Sequence, residues 1–300
     1  MNYARPGSVA ELLKIRAERP DWTLVAGGTD VMVPINFGRS RPPGLIDLAH
    51  VPELALRSRE GGTLTIGATV TFGALERGGP LNGGTPPALV IAARSVGSPQ
   101  IRATATIGGN LGTSSPAGDA HPALVACRAE IVAGSARGTR VIAVDDFFLR
   151  PGRSALARDE VVLAVRVPVP EHTTQQFAKA GVRNAMVISV ASVAVAIDWT
   201  GRRVGVGLGS VGPTPLRAAE AERHLERLLW PEPREVYPAT APDLTGFAEL
   251  TAGAATPIDD VRGTAAYRRH VIRVMAARCA RRAINEAINE GRSGETHRQR

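Results

Sequence analysis

The chain has 300 residues, 44% of them hydrophobic, so it can bury one large core or two modest ones, and the different patterning of its halves favours two. Its formal charge of +8 comes almost wholly from arginine, with Lys14 and Lys179 the only lysines, and aromatics are 4% with no alternation of basic and aromatic residues, which argues against nucleic acid as a partner. Cys127 and Cys279 form no CxxC pair, so no zinc site, iron–sulfur cluster or disulfide framework is encoded. No apolar run reaches the roughly 20 residues of a membrane helix, and Met1 to Glu11 lacks a signal-peptide layout, which implies a cytoplasmic protein with no membrane span.

Ser8-Val9-Ala10-Glu11 is a capping box opening a short helix through about Glu18, and Trp22 to Ala26 follows as a strand. Thr29 to Phe37 begins a second helix with Asp30 in its first turn, and Leu45 to Leu48 returns as a strand. Two β runs between Leu54 and Ala68 flank Glu60-Gly61-Gly62, a hairpin signal. Helices are predicted at Phe72 to Arg77 and Pro87 to Val96. Ser98 to Pro116, rich in Gly, Ser and Thr, is too long for an idle connection and reads as a functional loop. A helix from about Asp119 to Cys127 and strands at Glu130 to Ala133 and Glu160 to Val167 complete this half.

Pro168-Val169-Pro170 marks a junction, because prolines end a strand and stiffen a linker. Beyond it, β runs at Met186 to Trp199 and Arg203 to Leu208 precede helices at Leu216 to Leu229 and Thr264 to Glu290, the pattern of a small α+β domain. The expected division is a first domain over 1–170, with lobes of about 1–52 and 53–170, a second over 171–290, and a disordered polar tail over 291–300.

Three glycine-rich signals stand out. In Val25-Ala26-Gly27-Gly28-Thr29-Asp30 a strand runs into a helix start, and paired glycines there either present successive N–H groups to an anion such as a diphosphate or simply make the turn. Thr106-Ile107-Gly108-Gly109-Asn110-Leu111-Gly112-Thr113-Ser114-Ser115-Pro116 offers donors, acceptors and close backbone approach to a second face of the same nucleotide. Asp119, just beyond, either accepts from ribose hydroxyls or caps the helix that follows it. Gly207-Leu208-Gly209-Ser210-Val211-Gly212 matches the dinucleotide fingerprint literally, yet Pro213 and Pro215 interrupt the turn into a helix, and Glu232 sits in a proline-rich stretch that is not the second strand of a βαβ unit. It reads as a decoy.

The segments Val25 to Asp30, Leu45 to Leu48, Leu64 to Ala68 with Val70-Thr71, Gln100-Ile101-Arg102, Thr106 to Asp119, Asp146-Phe147-Phe148, Phe177 with Lys179 and Arg183, and Asp260 to Arg269 occur in an order and spacing that resembles one family. It is that of the FAD-binding medium subunits of molybdenum hydroxylases, of the xanthine dehydrogenase and carbon monoxide dehydrogenase type, and the similarity covers nearly the whole chain. The resemblance implies an α+β fold: a two-lobed FAD-binding domain of the vanillyl-alcohol-oxidase and cresol-methylhydroxylase type, then a small α+β domain with an antiparallel sheet and helices. It implies a diphosphate resting on the backbone N–H groups of Ala26, Gly27, Gly28, Thr29 and Asp30, with Val25 also at the cofactor and its other side held by Thr106, Gly109, Asn110, Thr113 and Asp119. Ser115 and Lys179 would lie nearer the flavin, where a lysine can stabilise negative charge on the reduced ring; read alone, Lys179 is a solvated surface charge.

Two positions depart from the family pattern. Ala103 stands where asparagine is usual, which removes one hydrogen bond shaping the second loop and lowers affinity for FAD. Thr29 stands where relatives with a covalent flavin carry histidine, which implies a non-covalent flavin here.

By the same resemblance, molybdopterin and two-iron clusters sit only on partner subunits, large and small respectively. Electrons from a substrate oxidised at molybdenum then reach FAD through the iron–sulfur partner and leave to NAD or another acceptor. No catalytic acid or base is required of this chain, and His121 reads as a surface histidine at a helix start. The C-terminal helix is expected to pack through Tyr267, Ile272, Val274, Met275, Ala276, Cys279 and Ile284, leaving Arg268, Arg269, Arg281 and Arg282 for solvent or an acidic partner. Two alternatives remain: a stand-alone FAD-dependent oxidoreductase without molybdenum partners, and a non-catalytic module whose flavin loops have degenerated.

Overall fold

The computed structural model describes residues 2–78, 84–231 and 241–298. Glu232 of the proline-rich stretch and the last two residues of the expected tail lie outside them.

The chain begins with β1 (Asn2–Ala4), α1 (Val9–Glu18), β2 (Thr23–Val25), α2 (Met32–Asn36) and β3 (Gly44–Asp47), whose strands form a parallel sheet in the order β1-β3-β2. Ser8 caps α1 as its sequence predicts, accepting from the Glu11 N–H at 3.2 Å. Leu12 of α1 is buried against Ile46, Leu48, Val51 and Leu54 in a small core of this lobe.

A second lobe follows: β4 (Arg57–Glu60), β5 (Thr63–Gly67), α3 (Phe72–Glu76), α4 (Pro87–Ser95), α5 (Pro99–Thr104), α6 (Ile107–Thr113), α7 (Ala120–Ala126), β6 (Glu130–Ser135), β7 (Gly138–Ala143), α8 (Val144–Phe147), β8 (Phe148–Arg150), β9 (Arg153–Ser154) and β10 (Val161–Pro168). Its five-stranded antiparallel sheet runs β4-β5-β10-β6-β7, with the expected hairpin at Glu60-Gly61-Gly62. Two expectations change here. The span Ser98 to Pro116 holds two short helices rather than one long loop, because Ser98 and Thr106 each cap a turn through their hydroxyls. The strand after Glu130 turns back as β7, whose mostly exposed residues give it no buried alternation to read in the sequence.

The last elements are β11 (Thr173–Ala180), β12 (Ala191–Asp198), β13 (Arg203–Gly209), β14 (Leu216–Arg217), α9 (Ala219–Leu229), α10 (Thr245–Gly253) and α11 (Ala265–Arg298). The strands form an antiparallel sheet in that order. β12 starts only at Ala191, so Met186 to Val190 belongs to the loop before it, and the polar run Thr173–Ala180 supplies a strand absent from the sequence reading. Helix α11 continues to Arg298, beyond Glu290 and through most of the segment expected to be a disordered tail. Arg268 does not face solvent: it is 3% exposed and donates to the carbonyls of Val190 and Ser210 at 3.0 and 2.7 Å. No helix among the described residues is long and apolar enough to cross a membrane.

One face of the last sheet packs on α9 and α11, against which α10 lies, and the other on α4 and α7, so Phe177, Ala194 and Ala196 join the core of the second lobe. This packing explains the literal dinucleotide fingerprint. A Cβ on Gly205 would lie 1.9 Å from the Ala126 carbonyl oxygen, one on Gly207 2.1 Å from that of Pro122, and one on Gly209 2.8 Å from the Pro122 ring. The alternate glycines of β13 therefore let α7 lie directly on the sheet, and the motif is a packing surface.

Candidate functional site

Strand β2 delivers the first glycine turn. A Cβ at Gly27 would sit 1.9 Å from the Thr104 carbonyl oxygen, so only glycine lets this turn lie against the chain between α5 and α6. Gly28 follows with φ +69°, and its carbonyl accepts from the Met32 N–H at 3.1 Å. Among the described residues, the N–H groups of Gly27 through Val31 donate to no acceptor in the protein, leaving a run of donors at the head of α2. That helix starts at Met32 rather than Thr29, and Asp30 instead accepts a hydrogen bond from the Thr113 hydroxyl at 3.1 Å.

The second glycine motif is held from both sides. Arg102 clamps α5 by donating to Glu76 at 2.7 Å and to the carbonyls of Val96 and Gly97. Thr106 caps α6 and forms an isolated bridge with Thr71, and a Cβ on Gly108 would strike Ala68 at 2.6 Å. Ser114 ends α6 in the left-handed region at φ 48°, and its carbonyl accepts from Gly152 at 3.1 Å, drawing the β8–β9 hairpin toward the site. Asn110 Oδ1 is buried without a protein partner. Ala103 lies exposed on α5 and does not face the space between the motifs.

Asp119 does not cap α7. Its Oδ2 receives the Lys179 ammonium at 2.6 Å, and Lys179 also donates to the Ser95 carbonyl at 3.0 Å, while Asp119 Oδ1 is buried and unpartnered. Burial pushes the Asp119 carboxyl above the usual aspartate range, and the Lys179 charge pulls the other way. Lys179 is thus neither a solvated surface charge nor a wall of the site; it stands behind Asp119. His121 is likewise not at the surface. It is fully buried, its ring 4.5 Å from Phe148 and directly beneath Gly118, and burial lowers its pKa to about 4.

These elements enclose a cleft of about 1050 Å³, just above the ~300–1,000 Å³ usual for ligand pockets. Eleven of the thirteen residues singled out from the sequence line it: Ala26, Gly27, Gly28, Thr29, Asp30, Thr106, Gly109, Asn110, Thr113, Ser115 and Asp119. Val25, inside β2, and Lys179 do not. Sequence reasoning missed Arg16, Trp22, Arg153, Arg158 and the apolar run Met186-Val187-Ile188, which line the same space. None of these stands in a motif, and only the packing of the lobes brings them to the cleft.

The lining fits a flavin dinucleotide: a run of unpartnered backbone donors suits a diphosphate, and the orphaned oxygens of Asn110 and Asp119 suit ligand hydroxyl or N–H groups. Among the described residues no Cys, His or Tyr lines the cleft, and no group of three or more His, Cys, Asp or Glu is placed to hold a metal ion.

The family model for the FAD binding domain in molybdopterin dehydrogenase matches residues 1–170, and that for the CO dehydrogenase flavoprotein C-terminal domain matches residues 176–283. The chain is 28% identical over 293 residues to the xanthine dehydrogenase FAD-binding subunit of Escherichia coli O157:H7, covering 96% of each. It is 31% identical over 290 residues to the carbon monoxide dehydrogenase medium chain of Hydrogenophaga pseudoflava, covering 95% of this chain and 96% of that one. A chain in the crystal structure of cyanide-inactivated Cu,Mo-CO dehydrogenase superposes with a TM-score of 0.85 at 27% identity, over 95% of this chain and 98% of that one.

Proposed function

The chain belongs to the FAD-binding medium subunits of molybdenum hydroxylases of the xanthine dehydrogenase and carbon monoxide dehydrogenase type, and we propose that it holds its cofactor in this cleft. In this reading the flavin is bound without a covalent link, electrons arrive from an iron–sulfur small subunit served by a molybdopterin large subunit, and they leave to NAD or another acceptor. The complex works in the cytoplasm.

Bound FAD supplies the electron-carrying chemistry, which no side chain here provides. The protein's part is position and electrostatics. The N–H groups of Gly27 through Val31 receive the diphosphate, and Asn110 and Asp119 accept from its hydroxyl or N–H groups. The Lys179 charge opposes the upward shift that burial gives the Asp119 carboxyl, and so favours its acceptor form. His121 donates from Nε2 to the Asn110 carbonyl at 3.2 Å and so ties α7 to α6 beneath the cleft. It is a positioning residue.

The observation that carries this reading is the joining of two glycine motifs by the Thr113–Asp30 hydrogen bond, between residues 83 apart in sequence, on either side of a space lined by unpartnered donors and acceptors. The test is an absorbance spectrum of the purified chain before and after FAD, then purification of the complex from its host. A flavin spectrum with iron–sulfur and molybdenum-containing partners supports the relay. Flavin without such partners points to a stand-alone oxidoreductase, and no flavin uptake overturns the reading.

A further inference from the structure

One buried guanidinium outside the cleft holds two segments of its wall. Arg268 lies near the start of α11 and does not line the cleft. Its Nη1 donates to the carbonyls of Val190 and Ser210 at 3.0 and 2.7 Å, and its Nη2 donates to Asp260 at 2.5 Å. Val190 closes the β11–β12 loop by donating to the Ala180 carbonyl at 2.8 Å, and that loop carries Met186, Val187 and Ile188 to the cleft. Ser210 donates its N–H to the Pro116 carbonyl at 2.8 Å, and the neighbours of Pro116 in the chain, Ser115 and Ala117, line the cleft from the second lobe. The same side chain therefore reaches both segments through one bond each.

Stability alone does not account for this arrangement. Arg268 Nε and the hydroxyls of Ser189 and Ser210 are buried with no partner, and unmet buried polar groups destabilise a fold. A planar fork that meets two carbonyls and a carboxylate at once fixes their relative positions, which a single ammonium cannot do. The loop needs such an anchor. Met186 sits in the left-handed region at φ 50°, and the side chains of Val182, Met186 and Ile188 are exposed.

We propose that Arg268 is a positioning residue for the cleft: without touching the ligand, it sets the spacing between the Met186–Ile188 wall and the Ser115–Gly118 turn. The space for the flavin is thereby formed in advance of binding. This rests on the flavin reading above. The test measures amide hydrogen exchange and FAD affinity on the full-length chain, wild type against Arg268→Lys, which keeps the charge beside Asp260 and loses the fork. Exchange at the Val190 and Ser210 amides is expected to quicken about tenfold or more, with the amides of the β6–β10 pairing unchanged, and FAD to bind about tenfold more weakly. Asp260→Asn, which removes the ionised partner of the guanidinium, is expected to move both readouts in the same direction, and it carries the test if Arg268→Lys does not fold. Exchange that is unchanged at both amides, or quickened evenly across the chain as for a merely structural residue, overturns the proposal. FAD bound equally by variants and wild type overturns it while sparing the flavin reading, and a wild type that takes up no flavin overturns both.

Discussion

The ammonium of Lys179, on a strand of the C-terminal sheet, lies 2.6 Å from the carboxylate of Asp119 at the head of α7, with both side chains 10% exposed or less. The pair links the two halves of the chain beneath the cleft. Removing one member of a buried pair leaves an uncompensated charge, so Lys179→Met is expected to cost about 3–5 kcal/mol in denaturant unfolding. It is also expected to weaken FAD, because the unpaired carboxyl takes up a proton and ceases to be a simple acceptor. Adding Asp119→Asn to Lys179→Met should recover much of the stability. Strictly additive losses in this double-mutant cycle would show that the two residues are not coupled.

His121 makes the fold sensitive to acid. Backbone hydrogen bonds to Asn110 and Ser115 favour the charged ring, and burial outweighs them. Burial lowers the pKa from 6.5 to about 4, so between these values the unfolded chain binds the proton and the folded chain does not. The stability gained from a neutral ring is complete above pH 6.5 and is lost as pH falls toward 4, on the order of 3 kcal/mol in all. Unfolding free energy measured against pH should fall less steeply over this range in His121→Phe than in the wild type. Parallel curves would remove the histidine as the cause.

Gly27 and Gly207 both stand in glycine-rich motifs, and the structure gives them different work. A Cβ at Gly27 would collide with Thr104 at the cleft, and one at Gly207 with Pro122 under the sheet. Gly27→Ala is therefore expected to push the two cleft motifs apart and weaken FAD about tenfold or more. Gly207→Ala should cost about 1–3 kcal/mol of stability from overpacking, with the FAD dissociation constant of the folded protein unchanged. An equal loss of flavin affinity in both would restore the third motif as a nucleotide site.

That contrast shows what the sequence could carry. The glycine turn at Gly27-Gly28 and the Thr106 to Ser115 segment were legible because close backbone approach and hydroxyl caps demand particular residues at fixed offsets. Strand β11 was not, since Thr173 to Gln176 has the composition of a loop and becomes a strand by pairing along β12. The helical form of α6 was hidden by its glycines, poor helix formers of which Gly108 lies against Ala68 and Gly109 against Thr106. The burial of His121 and Lys179 depends on α4, α7 and β11 meeting, and no local pattern records that.

The flavin is expected to leave the protein intact on denaturation. A covalent link needs an imidazole, thiolate or phenol within reach of the ring, and among the described residues the cleft lining holds no His, Cys or Tyr; Thr29 offers only an unactivated hydroxyl. The two thiols are no reserve: burial holds Cys127 and Cys279 up at about 12, where almost no thiolate forms at neutral pH. Acid precipitation of the FAD-loaded chain should therefore leave all flavin absorbance in the supernatant and a colourless, non-fluorescent pellet. Yellow protein surviving precipitation would mean that a nucleophile outside this lining reaches the ring, and the position of the flavin in the cleft would have to be redrawn.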